Sequence, residues 1–346
     1  MKRSRLTLLA AATIVALTTT ACGGSSGGTA AGPVSGSWTD VVAAAEKEGK
    51  VTLYSSQNPV NLEKLKTAFQ AKYPKIALEF VRGTDAEMNP KVEVESRTGK
   101  GIADVHVLTD AKWITTAASS GAYSTKIVGP DFDAADYGRA KSVISDTFFL
   151  TSAAVFAMGW NTDKVPGGFS DPRDMLKPEF KGKIGITNPA GIAAYVEFYK
   201  FMTAHFGAEY LTQLAALKPR IYPSSLGIAQ ALTSGEIVAT PVVQPLLSEE
   251  ESGAPVAWKL PTPPYGAPWY SHVLKAAPHP NAAQVLADFM VTKAGQDALS
   301  SGYAAVLPNT PAAVAQAQDI SLPNPDDLTP EKTQAYTAEW EKLFTP

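Results

Sequence analysis

Apolar and polar positions along the chain switch repeatedly between a helical period and a strand period. In SWTDVVAAAEKEGK, residues 37–50, Val41, Val42 and Ala45 fall on one face of a short helix, and Asp40 stands where a cap belongs. VTLYSS, 51–56, is β-branched and aromatic and predicts a buried strand. Asn58-Pro59 then offers an N-cap followed by proline in the first helical position. Leu62, Leu65 and Phe69 recur at helical spacing until Pro74. In IALEFVRG, 76–83, Ile76, Leu78 and Phe80 alternate as on a strand. A polar helix over 86–98 and a strand over 102–108 follow. Strand, helix, strand, helix, strand predicts a parallel sheet covered by helices.

Beyond this unit the pattern changes scale. AAVFAMGWNTDKVP, 153–166, predicts a long strand leaving the first half of the molecule. A loop, a short helix and a strand are expected through FSDPRDMLKPEFKGKIGITNP, then helices at 190–205 and 207–217, the second carrying Tyr210, Leu211 and Leu214. RIYPSSLGIAQALTSGE predicts strand, turn and helix; 236–243 and 256–261 predict strands. WYSHVLKAA, 269–277, is expected to return to the first half, and 281–299 to form one or two amphipathic helices. The chain is Pro-rich after Pro308 until a final helix at 330–344.

The first residues follow neither period. MKRSR carries three positive charges, and LTLLAAATIVAL, 6–17, carries none. A bilayer-spanning helix needs roughly 20 apolar residues, so this short run reads as a secretory signal over residues 1–21. Small residues, Thr19-Thr20-Ala21, precede Cys22, the only cysteine. The arrangement resembles the lipobox of bacterial lipoproteins, with Thr19 where a bulky aliphatic residue is usual. The resemblance implies lipidation of Cys22, which then becomes the N-terminus. With no second cysteine there is no intrachain disulfide to compete for it. GGSSGGTAAGPVSGS reads as a tether, 22–36 with the cysteine.

Loss of the leader takes three positive charges and no acid from a formal −3, leaving −6. No basic run follows, so nucleic acid is excluded as a partner. The roughly 310 residues after the tether are enough for two lobes of ordinary size.

Several stretches in order then resemble one family. They are VTLYSS, EFVRG, GKGIADVHVLTD, AMGWNTDKVP, MLKPEFKGKIGITNP, LTSGEI and HPNAAQVLADFMVTKAGQ, spread over about residues 48–310. Together they resemble the periplasmic solute-binding proteins of ABC importers, type II, in the subgroup that binds ferric iron, thiamine, phosphonates or other small organics. The resemblance implies an α/β fold of two lobes, each a helix-covered, mainly parallel sheet, joined by crossover strands. It implies a monomer that binds a small-molecule ligand between the lobes and docks on ABC permease subunits, a lipid anchor holding it at the outer face of the membrane. Lobe 1 is expected at 37–153 plus 270–305, lobe 2 at 154–269, and a tail, 306–346, on lobe 2.

Ligands of open α/β sheets sit beyond the carboxyl ends of the strands, near helix N-termini. The candidates there are Ser55, Ser56, Gln57 and Asn58 after the first strand, Arg82, Gly83 and Thr84 after the second, and Thr109 and Asp110 after the third. The other lobe offers Thr187, Asn188 and Gly191, then Ser224 and Ser225; Trp269 and Tyr270 border the gap from the return strand. Several helix N-termini around one gap favour an anionic group, so an organic carboxylate, phosphonate or sulfonate is expected. Ferric-binding relatives carry an adjacent tyrosine pair soon after LTSGEI; this chain has Pro245, Leu246 and Leu247 there. If iron were bound, Tyr270 and His272, on one side of a strand, would be its candidates. No cofactor is expected. Catalysis is not expected either: there is no G-x-S-x-G, no H-E-x-x-H and no P-loop, His106 reads as a core histidine and His279 as part of an exposed loop.

Overall fold

One strand of 14 residues, Phe148–Asn161, runs through both halves of the molecule. Its composition, FFLTSAAVFAMGWN, is apolar at nearly every position, as a strand covered on both faces must be. The computed structural model describes residues 35–320 and 324–345. The secretory leader, Cys22 and nearly all of the tether lie outside these described residues.

The chain begins α1 (Trp38–Glu48), β1 (Lys50–Ser55), α2 (Pro59–Lys72), β2 (Ala77–Arg82), α3 (Asp85–Thr98), β3 (Val105–Leu108), α4 (Ala111–Ser120), α5 (Arg139–Ser142), β4 (Val143–Ile144) and the long β5 (Phe148–Asn161). It continues β6 (Gly185–Thr187), α6 (Ala193–Phe206), α7 (Tyr210–Ala216), β7 (Arg220–Tyr222), α8 (Ser225–Thr233), β8 (Ala239–Val243), α9 (Leu247–Glu251) and β9 (Val256–Lys259). It returns through β10 (Tyr265–Val273), α10 (Pro280–Val291), α11 (Lys293–Leu299), β11 (Ala304–Ala305), β12 (Ala315–Gln316) and α12 (Pro330–Phe344).

The sheet order is β12-β11-β5-β10-β3-β1-β2. β1 is parallel to β2 and β3, as the strand-helix repeat predicts. β10 joins β3 and β5 antiparallel. Past Phe156, β5 changes partners and pairs with β8 and β9. β6 and β7 form a parallel pair, and Ile184 bridges to Ala239 of β8. Two apolar cores result. The first surrounds Leu53, Phe69, Phe149 and Phe289; the second surrounds Phe198, Tyr199, Leu232 and Val243. The rings of Phe69 and Phe289 meet edge-on at 5.4 Å and join α2 to α10.

Several expectations change in detail. Ser37, not Asp40, caps α1; Asp40 is the third helical residue and closes a reciprocal capping box with it. The long strand starts at Phe148, because the run FFL before Ala153 is as buried as the rest. α10 is not amphipathic: every side chain from Asn281 to Val291 is buried. His279 is not in an exposed loop: its backbone N–H and Nδ1 meet the two oxygens of the fully buried Asp104 at 2.7 and 3.0 Å. Asp104 also accepts the N–H of Thr52, tying β1 and the start of α10 to β3. The stretch after Val306 is shared between the halves. Ala317 and Ile320 lie in the first core, whereas Trp340 of α12 lies in the second, against Tyr199.

Candidate functional site

Register builds the site's floor. On β5 and β10, Ser152 lies opposite Trp269, Ala154 opposite Ala267 and Phe156 opposite Tyr265. Alternation on a strand puts these three pairs on one face of the ribbon. At one end of that face, Ser152 Oγ meets Gln57 Nε2 at 2.6 Å, and Trp269 Nε1 donates to Ser56 Oγ at 3.1 Å. At the other end, Phe156 packs on Tyr195 of α6, and Tyr265 Oη donates to the carbonyl of Ala194 at 2.9 Å. Trp269 and Tyr265 are four residues apart, about 13 Å along an extended strand. The turn after β1 and the start of α6 therefore stand on the same side of the ribbon, one at each end of it. On that face of the ribbon the positions between them are Ala154, which is buried, and Ala267, which is part-exposed. A bulge contributes: the register shifts between Trp269 and Tyr270, leaving Thr151 as the extra residue of β5.

The wall contributed by the first half is polar and largely used internally. Ser55, expected at the ligand, is fully buried, and its Oγ accepts the N–H of Gln57 at 3.1 Å. It shapes the turn. Gln57 is also fully buried, and its Oε1 is among the buried oxygens with no partner. Asn58 caps α2 through the N–H of Val60, and its side chain meets the Tyr303 hydroxyl. Tyr303 stands edge-on to Trp269 at 4.9 Å, and burial pushes its phenol up to about 12. Thr84 and Glu87 form a capping box at α3, and Gly83 donates its N–H to the carbonyl of Ser55. Thr109 donates both N–H and hydroxyl to Asp85 Oδ2, at 2.8 and 2.7 Å. Burial nevertheless raises the Asp85 carboxyl above the usual range. Asp110 caps α4 and accepts from Asn89. Arg82 is exposed.

The wall from the second half is less committed. Thr187, expected at the ligand, is instead fully buried, its carbonyl accepting from Tyr199 at 2.6 Å. Asn188 caps the turn at Ala190, and Gly191 takes a left-handed φ of 75° in the turn before α6. Ile192 cannot cap α6, and Ser224 makes no side-chain cap bond at α8. Apart from Ser225, whose N–H meets Tyr195 Oη at 3.1 Å, the first turn of α8 keeps its N–H groups for another acceptor.

The pair named for iron does not present a metal site. His272 is fully buried, with His106 Nδ1 on one ring nitrogen at 3.1 Å and Ser124 Oγ on the other at 2.8 Å. Tyr270 is 7% exposed and belongs to the first core. No group of three or more His, Cys, Asp or Glu side chains among the described residues is placed to hold a metal ion. No helix among them is long and apolar enough to cross a membrane. A hollow of about 890 Å³, lined by Lys50, Thr52, Lys66 and Ile102 among others, includes none of the clustered residues.

Tyr303, Ser152 and the Ala154–Ala267 pair are not among the candidates named from sequence. The parity of SAAVF and YGAPW signals Ser152 and the alanines once β5 and β10 are known to pair, and nothing local signals Tyr303.

Residues 51–303 match the family of bacterial extracellular solute-binding proteins. The chain belongs to that family. Its members are solute-binding proteins that act outside the cytoplasm. Among solved structures, iron-bound HitA from Pseudomonas aeruginosa is similar at 19% identity and TM-score 0.65, over 85% of this chain and 99% of that one. The substrate binding protein of an ABC transporter from Agrobacterium tumefaciens gives 17% and 0.66, over 87% and 97%. AfuA from Actinobacillus pleuropneumoniae, with fructose-6-phosphate bound, gives 18% and 0.63, over 86% and 99%. These likenesses show a shared two-lobed periplasmic-binding-protein fold. No curated protein sequence matches the chain.

Proposed function

We propose that this protein is the capture receptor of an ABC importer, and that its solute is a small organic anion. The arrangement of the two polar walls on one face of the β5–β10 ribbon, over a floor of two alanines, carries this reading. In it the lobes part at Ala153–Val155 and Gly266–Pro268, close over the solute, and the closed form meets the permease. Lipidated Cys22 and the tether keep the receptor at the membrane.

The uncapped starts of α6 and α8 support the anion. Each brings free N–H groups and the positive end of a helix dipole to the same wall. Exposed Arg82 adds a positive charge on the other side. The donor set argues against ferric iron: both His272 nitrogens are engaged, and no tyrosine pair follows LTSGEI.

Mass spectrometry of solute released from freshly purified protein tests the proposal. An organic carboxylate, phosphonate or sulfonate is expected, and restoring it to about 100 times its Kd adds roughly 2.7 kcal/mol of stability. An orange to red protein with a visible absorption band would replace the anion by tyrosine-bound iron, and turnover of the released compound would replace the receptor by an enzyme.

A further inference from the structure

We infer that the solute carries a hydrocarbon or aromatic body beside its anionic group, and that Val60, Ile192 and Leu226 grip that body. This rests on the receptor reading above and narrows its substrate class.

Large apolar side chains left open to water are few among the described residues, and three of them stand at helix starts bordering the cleft. Val60 is the second residue of α2 and 61% exposed; Leu226 is the second residue of α8 and 66% exposed. Ile192, immediately before α6, is 39% exposed. Side chains in a first turn lean toward the helix N-terminus, so Val60 and Leu226 lean toward the gap. The polar candidate Ser225 directly precedes Leu226, and Asn58, two residues before Val60, accepts its N–H at 2.9 Å. The floor below is apolar too, and Ala267 is part-exposed there. A hydrated ion or a hydroxyl-rich sugar phosphate gains nothing from three alkyl side chains and the methyl group of Ala267. An alkyl or aryl anion covers them when the lobes close, while its charged end takes the free N–H groups of α6 and α8.

Calorimetric titration of the purified protein with matched probes tests this. The pairs are hexanoate with acetate and benzylphosphonate with methylphosphonate, and hexanol controls for charge. The larger member of each pair is expected to bind at least about tenfold more tightly than the smaller. Leu226→Ser and Val60→Ser are each expected to remove most of that preference. Both side chains are exposed, so the melting temperature of the empty protein is expected to stay within about a degree. Equal affinity within each pair overturns the apolar body while leaving the anion. Equal weakening of both members by the substitutions also overturns it, and assigns the residues to lobe–lobe contact instead. Hexanol binding as tightly as hexanoate supports the apolar body and removes the anion. Binding by none of the probes overturns both.

Discussion

The two cores bury different chemistry. The first encloses Asp104, His106, His272, Asp288, Glu95 and Gln296 within its helices and strands. In the second half, Asn161, Thr187 and Thr240 are the buried polar residues other than tyrosine among the described residues. Tyr199 and Tyr210 there hold their protons far above neutral pH, because burial disfavours phenolate. The first lobe is thus cross-linked by groups that titrate, and the second is held by packing that does not. Stability that depends on pH should therefore reside in the first lobe, while the second lobe's cleft wall stays free to answer a solute.

The largest expected effect is at Asp104. Asp104→Ala strands the N–H groups of Thr52 and His279 in the interior and should cost about 3 kcal/mol or more in urea unfolding. Asn161→Ala, the nearest counterpart in the second lobe, loses bonds to Leu232, Asp163 and Lys164 but no buried charge, and should cost about 1–2 kcal/mol. Equal losses would erase the contrast between the lobes.

Acid sharpens it. Burial holds His106 down to about 3, and His272 well below its ordinary 6.5, with His106 adding to the effect. The unfolded chain therefore binds protons at these two histidines that the folded chain refuses below pH 6.5, and their contribution to folding stability falls as pH drops from there toward 3, while the carboxyls of Asp288, Asp104 and Asp85, raised by burial, act in the opposite sense. His106→Phe should flatten that fall by about one proton, near 1.4 kcal/mol per pH unit. Hydrogen exchange should change more between pH 7 and pH 5 in the first lobe than in the second. A larger change in the second lobe would contradict the assignment.

Smaller effects separate shape from contact. Ser55→Ala should lower the melting temperature of the empty protein, at about 1–2 kcal/mol, because the Gln57 N–H loses its acceptor. Ser225→Ala should leave it nearly unchanged and weaken solute binding. The reverse pattern would exchange their roles. Trp340→Phe should be mild for a core change: it leaves a small cavity, but the indole Nε1 already lacks a partner, so the loss should be about 1 kcal/mol by thermal melting.

Much of this fold was legible because periods of two and 3.6 residues are written locally. Leu62, Leu65 and Phe69 mark α2 without reference to anything distant, and α12 occupies the expected 330–344. The site was legible only in part. Loops after strand ends can be named from sequence, but which hydroxyls remain free depends on contacts between remote segments. Gln57 meets Ser152 across 95 positions, and Trp269 meets Ser56 across 213. Ser55 and Thr187 read as ligand contacts and are buried, because a hydroxyl beyond a strand serves a turn or a phenol as readily as a solute. Arg220, which opens β7, pairs with Glu236 at 2.8 Å, a contact that no local pattern announces. The floor was invisible, since two alanines carry no signal until their strands are paired.

A captured solute is expected to draw the two lobes together. Small-angle scattering of the protein with and without the tightest-binding probe tests this. A smaller radius of gyration is expected at saturation, with the same change on returning the co-purified solute to stripped protein. An unchanged scattering curve at saturation, with binding verified by calorimetry in the same sample, would contradict it.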